Sequence, residues 1–473
     1  MPSDATKRLL PWLVAVAFFM ESLDTTILNT AVPAVSEALN VTPLSMKAVL
    51  ASYTLSLAVF IPISGWMADR FGTRRVFSSA IGLFSLGSLL CGLAVNIHLL
   101  VAFRILQGMG GALMVPVGRL TLVRTFPKSD LIRIMSFVSI PALVAPMLGP
   151  IAGGLIVGYF HWRLIFFLNI PIGIVGLTLV YLHLPNYVEE THPLDAVGLI
   201  LFGSGIALLS YVLEVFGEHT LSSREIAGML ALSLALLLGY WLHAKTLEYP
   251  LLQLRLLRLR TLRVSVSGGL FTRLGIGGVP FLLPLLYQTG LGYSPIQSGL
   301  LIMPQALGAM CVKTVLRRVL GLLGYRAVLI SNTVVIGALL GLFSAIDAHT
   351  PVWLIVLLQF FYGWFTSLQY TSMNTLVYAD IEDHEASGAS SIASTMQQMA
   401  ISFGVATAGL TTAFFVPHAT SSVPAEMIHG IHLAFRALGA LTVVSTVVFA
   451  GLRRDDGQAV SREKPLQQQH PDG

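Results

Sequence analysis

Charge is scarce in this chain. Asp, Glu, Lys and Arg make up 11% of its 473 residues, against about 25% in soluble globular proteins, too few to clothe two or three water-facing domains. With 55% hydrophobic residues and a mean hydropathy of +0.78, the composition excludes the soluble classes and predicts an integral membrane protein. Cysteine is nearly absent: Cys91 and Cys311 both fall in apolar runs, so no disulfide framework is expected. There is no GxxxxGK, HExxH or CxxC pattern, which removes the usual anchors of nucleotide-driven pumping and metal hydrolysis. No cofactor and no enzymatic activity are therefore expected. The formal charge of +5 does not point to nucleic acid, because the basic residues come in short clusters between apolar runs, a pattern of membrane orientation.

What the chain has in quantity is long apolar runs. Fourteen are long enough to cross a bilayer as helices, at about 9–35, 46–68, 76–95, 99–121, 134–157, 164–184, 196–215, 226–243, 264–287, 299–316, 327–346, 352–377, 391–416 and 431–451. An even number puts both termini on one side. The N-terminus, every second loop and the C-terminal tail hold 21 Lys and Arg, the opposite loops only Lys47, Arg163 and Arg224. The positive-inside rule then predicts cytoplasmic termini. The first run lacks a small-residue cleavage site and reads as a retained span. The longest basic loop, "AKTLEYPLLQLRLLRLRTL", reads as an amphipathic helix on the membrane surface.

Against this background a few polar residues stand out. Glu21 and Asp24 interrupt the first span in "ESLDTTILN"; three apart, they share a helix face, with Thr25, Thr26 and Asn29 nearby. An acid at a span centre costs roughly 2.5–3.5 kcal/mol on insertion scales, so it faces a cavity or a partner. Counting from one membrane surface at ~1.5 Å per residue, Asp24 lies ~15 Å deep and Arg104 ~8 Å deep, a gap an Arg side chain nearly bridges. Two readings stay open: an acid that exchanges protons, or a static buried salt bridge. Arg273 opens a Gly- and Pro-rich span. Span 12 mixes rings and amides, Gln359, Tyr362, Trp364, Gln369, Tyr370 and Asn374, and span 13 adds Gln397. Together with Asn29, these read either as a cavity for bulky, partly apolar or cationic ligands or as helix packing. Arg119, near the end of span 4, reads as an anchor.

An internal echo organises the chain. "DRFGTRRVF" follows span 2 and "GLLGYRAVL" follows span 10, aligning Gly72 with Gly324 and Arg74 with Arg326. With spans 7 and 8 set aside, each copy follows the second span of a six-span set, the plan of parallel repeats with a substrate site between them. The expected division is an N-terminal six-helix bundle (1–185), two inserted helices with an amphipathic linker (186–262), a C-terminal six-helix bundle (263–452) and a cytoplasmic tail (453–473).

"GWMADRFGTRR" resembles the loop signature of the major facilitator superfamily, "RILQGMGGA" its span-4 signature, "LGPIAGG" its antiporter signature, and "LDTTILNTAVP" the span-1 signature of the fourteen-span drug:proton antiporters of the EmrB/QacA type. The resemblance implies an all-α major facilitator fold with fourteen transmembrane helices in the bacterial inner membrane. It implies export of small organic, amphipathic or cationic drug-like compounds in exchange for protons, driven by the proton gradient, hence multidrug efflux and antibiotic resistance. Proton coupling would fall to Asp24, Glu21 and Arg104; the cytoplasmic gate to Gly65, Asp69, Arg70, Gly72, Arg74 and Arg75; the antiporter motif to Gly149, Pro150, Gly153 and Gly154. The charged loop residues also read as plain anchoring, and the glycines as tight packing. The second loop copy has Gly321 where the first has Asp69, and Ala145 stands where the antiporter motif carries a further Gly. The partners expected are a small-molecule substrate, protons and the bilayer. Transport of one physiological metabolite, and a sensor or scaffold without flux, are the alternatives.

Overall fold

A computed structural model describes residues 4–215, 222–382, 385–415 and 424–457; most of the predicted tail lies outside them. The helices are α1 (Asp4–Ala38), α2 (Pro43–Phe71), α3 (Thr73–Leu93), α4 (Ile97–Thr125), α5 (Lys128–Tyr159), α6 (Leu164–His183), α7 (Ala196–Val215) and α8 (Ser223–Thr246). They are followed by α9 (Arg260–Gly290), a helical run Pro295–Phe343 that Gly324 divides into α10 and α11, then α12 (Val352–Leu376), α13 (Ala386–Phe415) and α14 (Pro424–Val444). Thirteen of them are long and apolar enough to cross a membrane among the described residues, and α5, 32 residues long with an apolar stretch at Val144–Tyr159, makes the fourteenth.

Local chemistry sets the helix ends. The Asn96 side chain accepts from Leu99 N to start α4, and capping boxes start α8 (Ser222 with Glu225) and α10 (Ser294 with Gln297). Gly72 (φ 94°, ψ 141°) ends α2, and Gly324 (φ 74°, ψ 160°) ends α10. Both adopt a positive-φ backbone that residues with a Cβ avoid, so the sequence echo has a structural counterpart at the same turn.

Helix α1 packs on α5, α2 on α4, and α3 on α4 and α6; in the second set α9 packs on α13 and α14, and the α10–α11 run on α12 and α14. The two sets meet where α5 touches α10 and α2 touches α13. Helix α7 lies against α2, α13 and α8. One apolar core runs through both sets, with Val32, Leu50, Trp162, Phe281, Leu286 and Phe435 among its members. A second core, with Phe77, Phe84 and Val117, stays within the first set, and another, with Tyr325, Leu329 and Leu376, within the second. A further core, with Phe202, Tyr240, Leu256 and Phe403, ties the inserted helices and linker to the second set and reaches Ala58 of α2. The sets are thus welded at the Val32–Phe281 end and parted by a cavity toward the other, where Asp69 lies.

The basic linker differs from the expected surface helix. It forms one 3-10 stretch, Leu254–Arg258, and is otherwise irregular. Pro250 lacks a helix donor, and the backbone N–H groups of Leu251 and Leu252 donate to Asp195 Oδ2 (3.0 Å) and to the Tyr240 hydroxyl (3.0 Å). Leu252 and Leu256 are thereby buried rather than laid on a membrane surface.

Candidate functional site

Asp24 sits at mid-length in α1, 1% exposed, and every polar neighbour converges on its carboxylate. Arg104 Nη1 of α4 donates to Oδ2 at 2.5 Å; Gln107 Nε2 (2.8 Å) and Asn169 Nδ2 (2.9 Å) donate to Oδ1. Arg104 and Gln107 stand three apart on one face of α4, and Arg104 Nη1 also donates to Gln107 Oε1 (2.8 Å). The guanidinium stacks over the Tyr53 ring, 4.3 Å from its centroid. Asn169 of α6 also donates to Ser88 Oγ (3.0 Å), tying the cluster to α3. This is a buried ion pair whose carboxylate is satisfied and sealed from water, so it holds four helices together; the Arg104 Nε donor has no partner among the described residues.

Glu21, one turn away, has the other environment. It is half-buried on the wall of a cavity of about 730 Å³ that lies between the two helix sets. Arg119 faces the same cavity, with its guanidinium 5.4 Å from the Phe18 ring centroid, so it is a wall residue rather than the expected anchor. Across from them stand Asn374, Ser390, Ser394, Gln397 and Gln398 of α12 and α13. Behind that wall Arg273 Nη2 donates to Gln397 Oε1 (3.1 Å) and Asn374 Oδ1 (3.3 Å) and packs 4.7 Å from the Tyr370 ring centroid. Arg273 is 5% exposed and has no ion pair among the described residues.

Several residues expected in the cavity lie elsewhere. Gln359 is buried and donates to the Tyr287 hydroxyl (2.9 Å), and Tyr362 packs edge-on against Phe343 in the core of the welded end. Gln369 bonds Asn332 and Thr333 of α11 inside the second helix set. Trp364 packs against Phe360, and Asn29 is half-buried outside the cavity lining. The two amides pair with buried hydroxyl and amide groups inside the second helix set, and the rings went to packing. Of the span-12 group, Asn374 lines the cavity and Tyr370 backs it through Arg273.

At the open end Asp69 Oδ1 accepts from Arg124 Nη2 (2.7 Å), and the same nitrogen lies 2.9 Å from Glu189 Oε1. The partner of Asp69 is thus an arginine of α4, not Arg70, Arg74 or Arg75 of its own motif. Arg74 instead accepts support from the following loop: its backbone N–H donates to Asn186 Oδ1 (3.1 Å), and its guanidinium lies 5.9 Å from the Tyr181 ring centroid. Glu189 N donates to the Asp69 carbonyl (3.0 Å), and Trp66 Nε1 to the His192 carbonyl (2.8 Å), so loop 184–195 straps the α2–α3 turn. Gly65 lines the cavity. At the welded end, Gly149 and Gly153 of α5 face Thr26 and Ile27 of α1, while Gly154 and Gly158 face Pro295 and Ile296 at the start of α10. A Cβ at Gly154 would fall on the Pro295 carbonyl, and one at Gly299 on the carbonyl of Pro150. Gln288 Nε2 donates to the Thr30 carbonyl (2.8 Å) and Ser402 Oγ to the Ala51 carbonyl (3.1 Å), closing this end across the two sets.

A family model described as Major Facilitator Superfamily matches residues 14–404 and, in a second match, 265–472. The chain belongs to the Major Facilitator Superfamily. Within it, the chain is 40% identical over 421 residues to the multidrug resistance protein MdtD of Pectobacterium atrosepticum, covering 88% of this chain and 90% of that protein. It is 41% identical to MdtD of Serratia proteamaculans, over 86% and 85% of the two chains, and 38% identical to MdtD of Escherichia coli O9:H4, over 98% of each. Among solved structures, a bacterial homolog of the human lysosomal transporter Spinster superposes with a TM-score of 0.70 at 13% identity, covering 98% of this chain and all of that one. A D-xylose–proton symporter superposes at 0.66 and 15% identity, over 94% and 98% of the chains; these two share the fold. The chain is a multi-pass membrane transporter of this superfamily and not an enzyme. Three residues that shape its polar sites were not singled out from sequence: Gln107, Asn169 and Arg124. Gln107 was legible in "RILQGMGGA", as the amide one turn from Arg104; Asn169 and Arg124 carried no comparable signal.

Proposed function

We propose that this chain exports small amphipathic, drug-like compounds, cationic ones among them, in exchange for protons, by alternating access from the bacterial cytoplasmic membrane. The observation that carries the reading is the pairing of a sealed acid with an accessible one: Asp24 locked to Arg104, and Glu21 one turn away on the cavity wall. The proposed division is two six-helix bundles (1–185 and 263–452), an inserted pair with its linker (186–262) and a tail (453–473). The bias of 21 basic residues against three supports a cytoplasmic Asp69 end and cytoplasmic termini. The cavity is then open to the cytoplasm. In this form Glu21 releases its proton into the cavity, and the carboxylate offers a counter-charge to a cationic substrate. Closure at Asp69, Arg124 and Glu189, with opening along the α5–α10 seam, carries the substrate outward, and a proton from outside displaces it from Glu21. Asp24 and Arg104 keep α1 and α4 in register through the cycle. The MdtD relatives, named for multidrug resistance, support the substrate class.

The wall of Asn374, Ser390, Ser394, Gln397 and Gln398 favours a second reading, a single polar metabolite, because hydroxyls and amides reward a fixed pattern of hydrogen bonds. Both are tested in proteoliposomes carrying an imposed pH gradient and a panel of labelled compounds. Gradient-driven movement of several unrelated amphipathic compounds supports the first reading, saturable movement of one polar compound the second, and movement of none overturns both.

A further inference from the structure

The end of α8 and the linker that follows enclose a pocket of about 360 Å³ outside the transport pathway, and nothing in the transport cycle uses it. Its cations are Lys245, Arg255 and Arg258, against one carboxylate, Glu248. Apart from Gln253 the remaining wall is apolar, with Trp241 and Leu254 among its members. Lys245 Nζ lies 3.1 Å from the Trp241 ring centroid, while Arg255 reaches its nearest carboxylate, Glu385, at 3.8 Å with 66% of its side chain exposed, a long surface pair that contributes little. The three cations thus converge on a space with an excess of positive charge and, among the described residues, no ion pair closer than that at 3.8 Å.

The surroundings say what kind of anion fits. Helix α8 packs on α7 and leaves Leu230, Leu234, Leu238 and Leu242 exposed along the face that leads down to Trp241. Such a face takes acyl chains, and a tryptophan beside a lysine at its end marks the level of the lipid headgroups. A free inorganic anion gains nothing from the apolar wall, whereas an amphiphile with a phosphate head uses both parts. We propose that this pocket binds the headgroup of an anionic phospholipid in the leaflet at the Asp69 end, its phosphate held by Lys245, Arg255 and Arg258 and its chains lying along α8.

Each cation near an anionic lipid surface strengthens binding by about five-fold. The test is native mass spectrometry of the full-length transporter from mixed micelles with equal amounts of phosphatidylglycerol and phosphatidylcholine. The wild type should retain phosphatidylglycerol preferentially, and Arg255→Gln/Arg258→Gln should lose most of that preference. Lys313→Gln/Arg318→Gln, which removes the same charge from the α10–α11 region, should keep it. Equal loss in both double variants would reduce the pocket to diffuse positive charge and overturn the proposal, as would a wild type without headgroup preference. Inorganic phosphate in excess should leave the bound lipid in place; if it displaces the lipid and binds alone, the site is one for free anions and the proposal fails.

Discussion

Asp24 and Glu21 have the same charge and share a helix face, yet their surroundings assign them different work. An ion pair with 1% exposure on each side chain is strongly destabilised when one partner is removed, because the other charge stays buried, by about 3–5 kcal/mol. Asp24→Asn should therefore lower thermal stability by that order, with partial rescue by Arg104→Gln, as expected for residues in one network. Glu21→Gln should leave stability near that of the wild type and abolish gradient-driven flux. Thermal unfolding and flux on the same variants check both expectations: a stable Asp24→Asn protein, or a Glu21→Gln protein that still follows the gradient, contradicts the division of roles. The sequence made the acid pair and its reach to Arg104 legible, since spacing and depth depend only on helix geometry. It could not show which acid meets water, because that depends on Gln107 and Asn169 arriving from two other helices. The same applies at the Asp69 end, the proposed gate, where Arg124 is 55 residues from Asp69. If Asp69 acts through Arg124, then Asp69→Asn and Arg124→Gln should slow turnover alike, and the double variant should be scarcely slower than either, with binding affinity held within a few-fold. Additive losses in a transport-rate assay would show the two residues acting apart.

Among the elements, α5 shows how one helix surface serves two seams. Gly149 and Gly153 face α1, whereas Gly154 and Gly158 face α10, so one helix offers small residues to its own set on one side and to the opposite set on the other. Gly154→Val would push side-chain atoms into the Pro295–Ile296 backbone and part the welded end. In a background of Thr30→Cys and Gln288→Cys, residues now joined by a 2.8 Å hydrogen bond, the crosslink yield should fall several-fold; an unchanged yield would mean that the seam absorbs the branch without opening. The glycine spacing was readable in the chain, but its partner helix was not. The linker departs from the expected surface helix for a related reason: its leucines have an amphipathic look, but Asp195 and Tyr240 take its backbone donors and turn Leu252 and Leu256 inward. Burial pushes the Asp195 carboxyl up, yet the hydrogen bonds from His243, Gly198 and Leu251 outweigh it and hold the group below the usual carboxylate range. A carboxyl lowered in the folded state stabilises the fold above its ordinary titration range, and that contribution is lost as pH falls through the folded value. Asp195→Asn should thus cost about 1–3 kcal/mol at neutral pH and little in strong acid, where the wild-type carboxyl is protonated. Melting curves across pH check this, and an equal loss at every pH would exclude the charge as the cause.

At the scale of the whole molecule the shape follows from where apolar contact is continuous. The core with Val32, Phe281 and Phe435 crosses between the helix sets at the welded end, another joins the inserted helices and linker to the second set and reaches α2 at Ala58, and the remaining two stop within a set, so opening the welded end exposes apolar surface that closure at the Asp69 end must offset. Fourteen spans and the bias of charge were visible in the chain because hydropathy and charge are local; which end stands open was not, since it depends on contacts between helices far apart in sequence. The accessible surface provides the test. Ser391 lies on the cavity wall and Ser223 is exposed at the start of α8, toward the opposite membrane face. With Cys91 and Cys311 replaced, Ser391→Cys should react with a membrane-impermeant maleimide added from the Asp69 side, and Ser223→Cys only from the other. Thr30→Cys, at the seal with Gln288, should be slow to react from either side at rest. Under an imposed proton gradient with substrate present, populations shift toward the opposite form: labelling of Ser391→Cys should fall and labelling of Thr30→Cys from the far side should rise together. If the two rates change independently, the ends do not open in alternation. If Ser391→Cys and Ser223→Cys label from the same side, the fourteen-span arrangement is itself wrong.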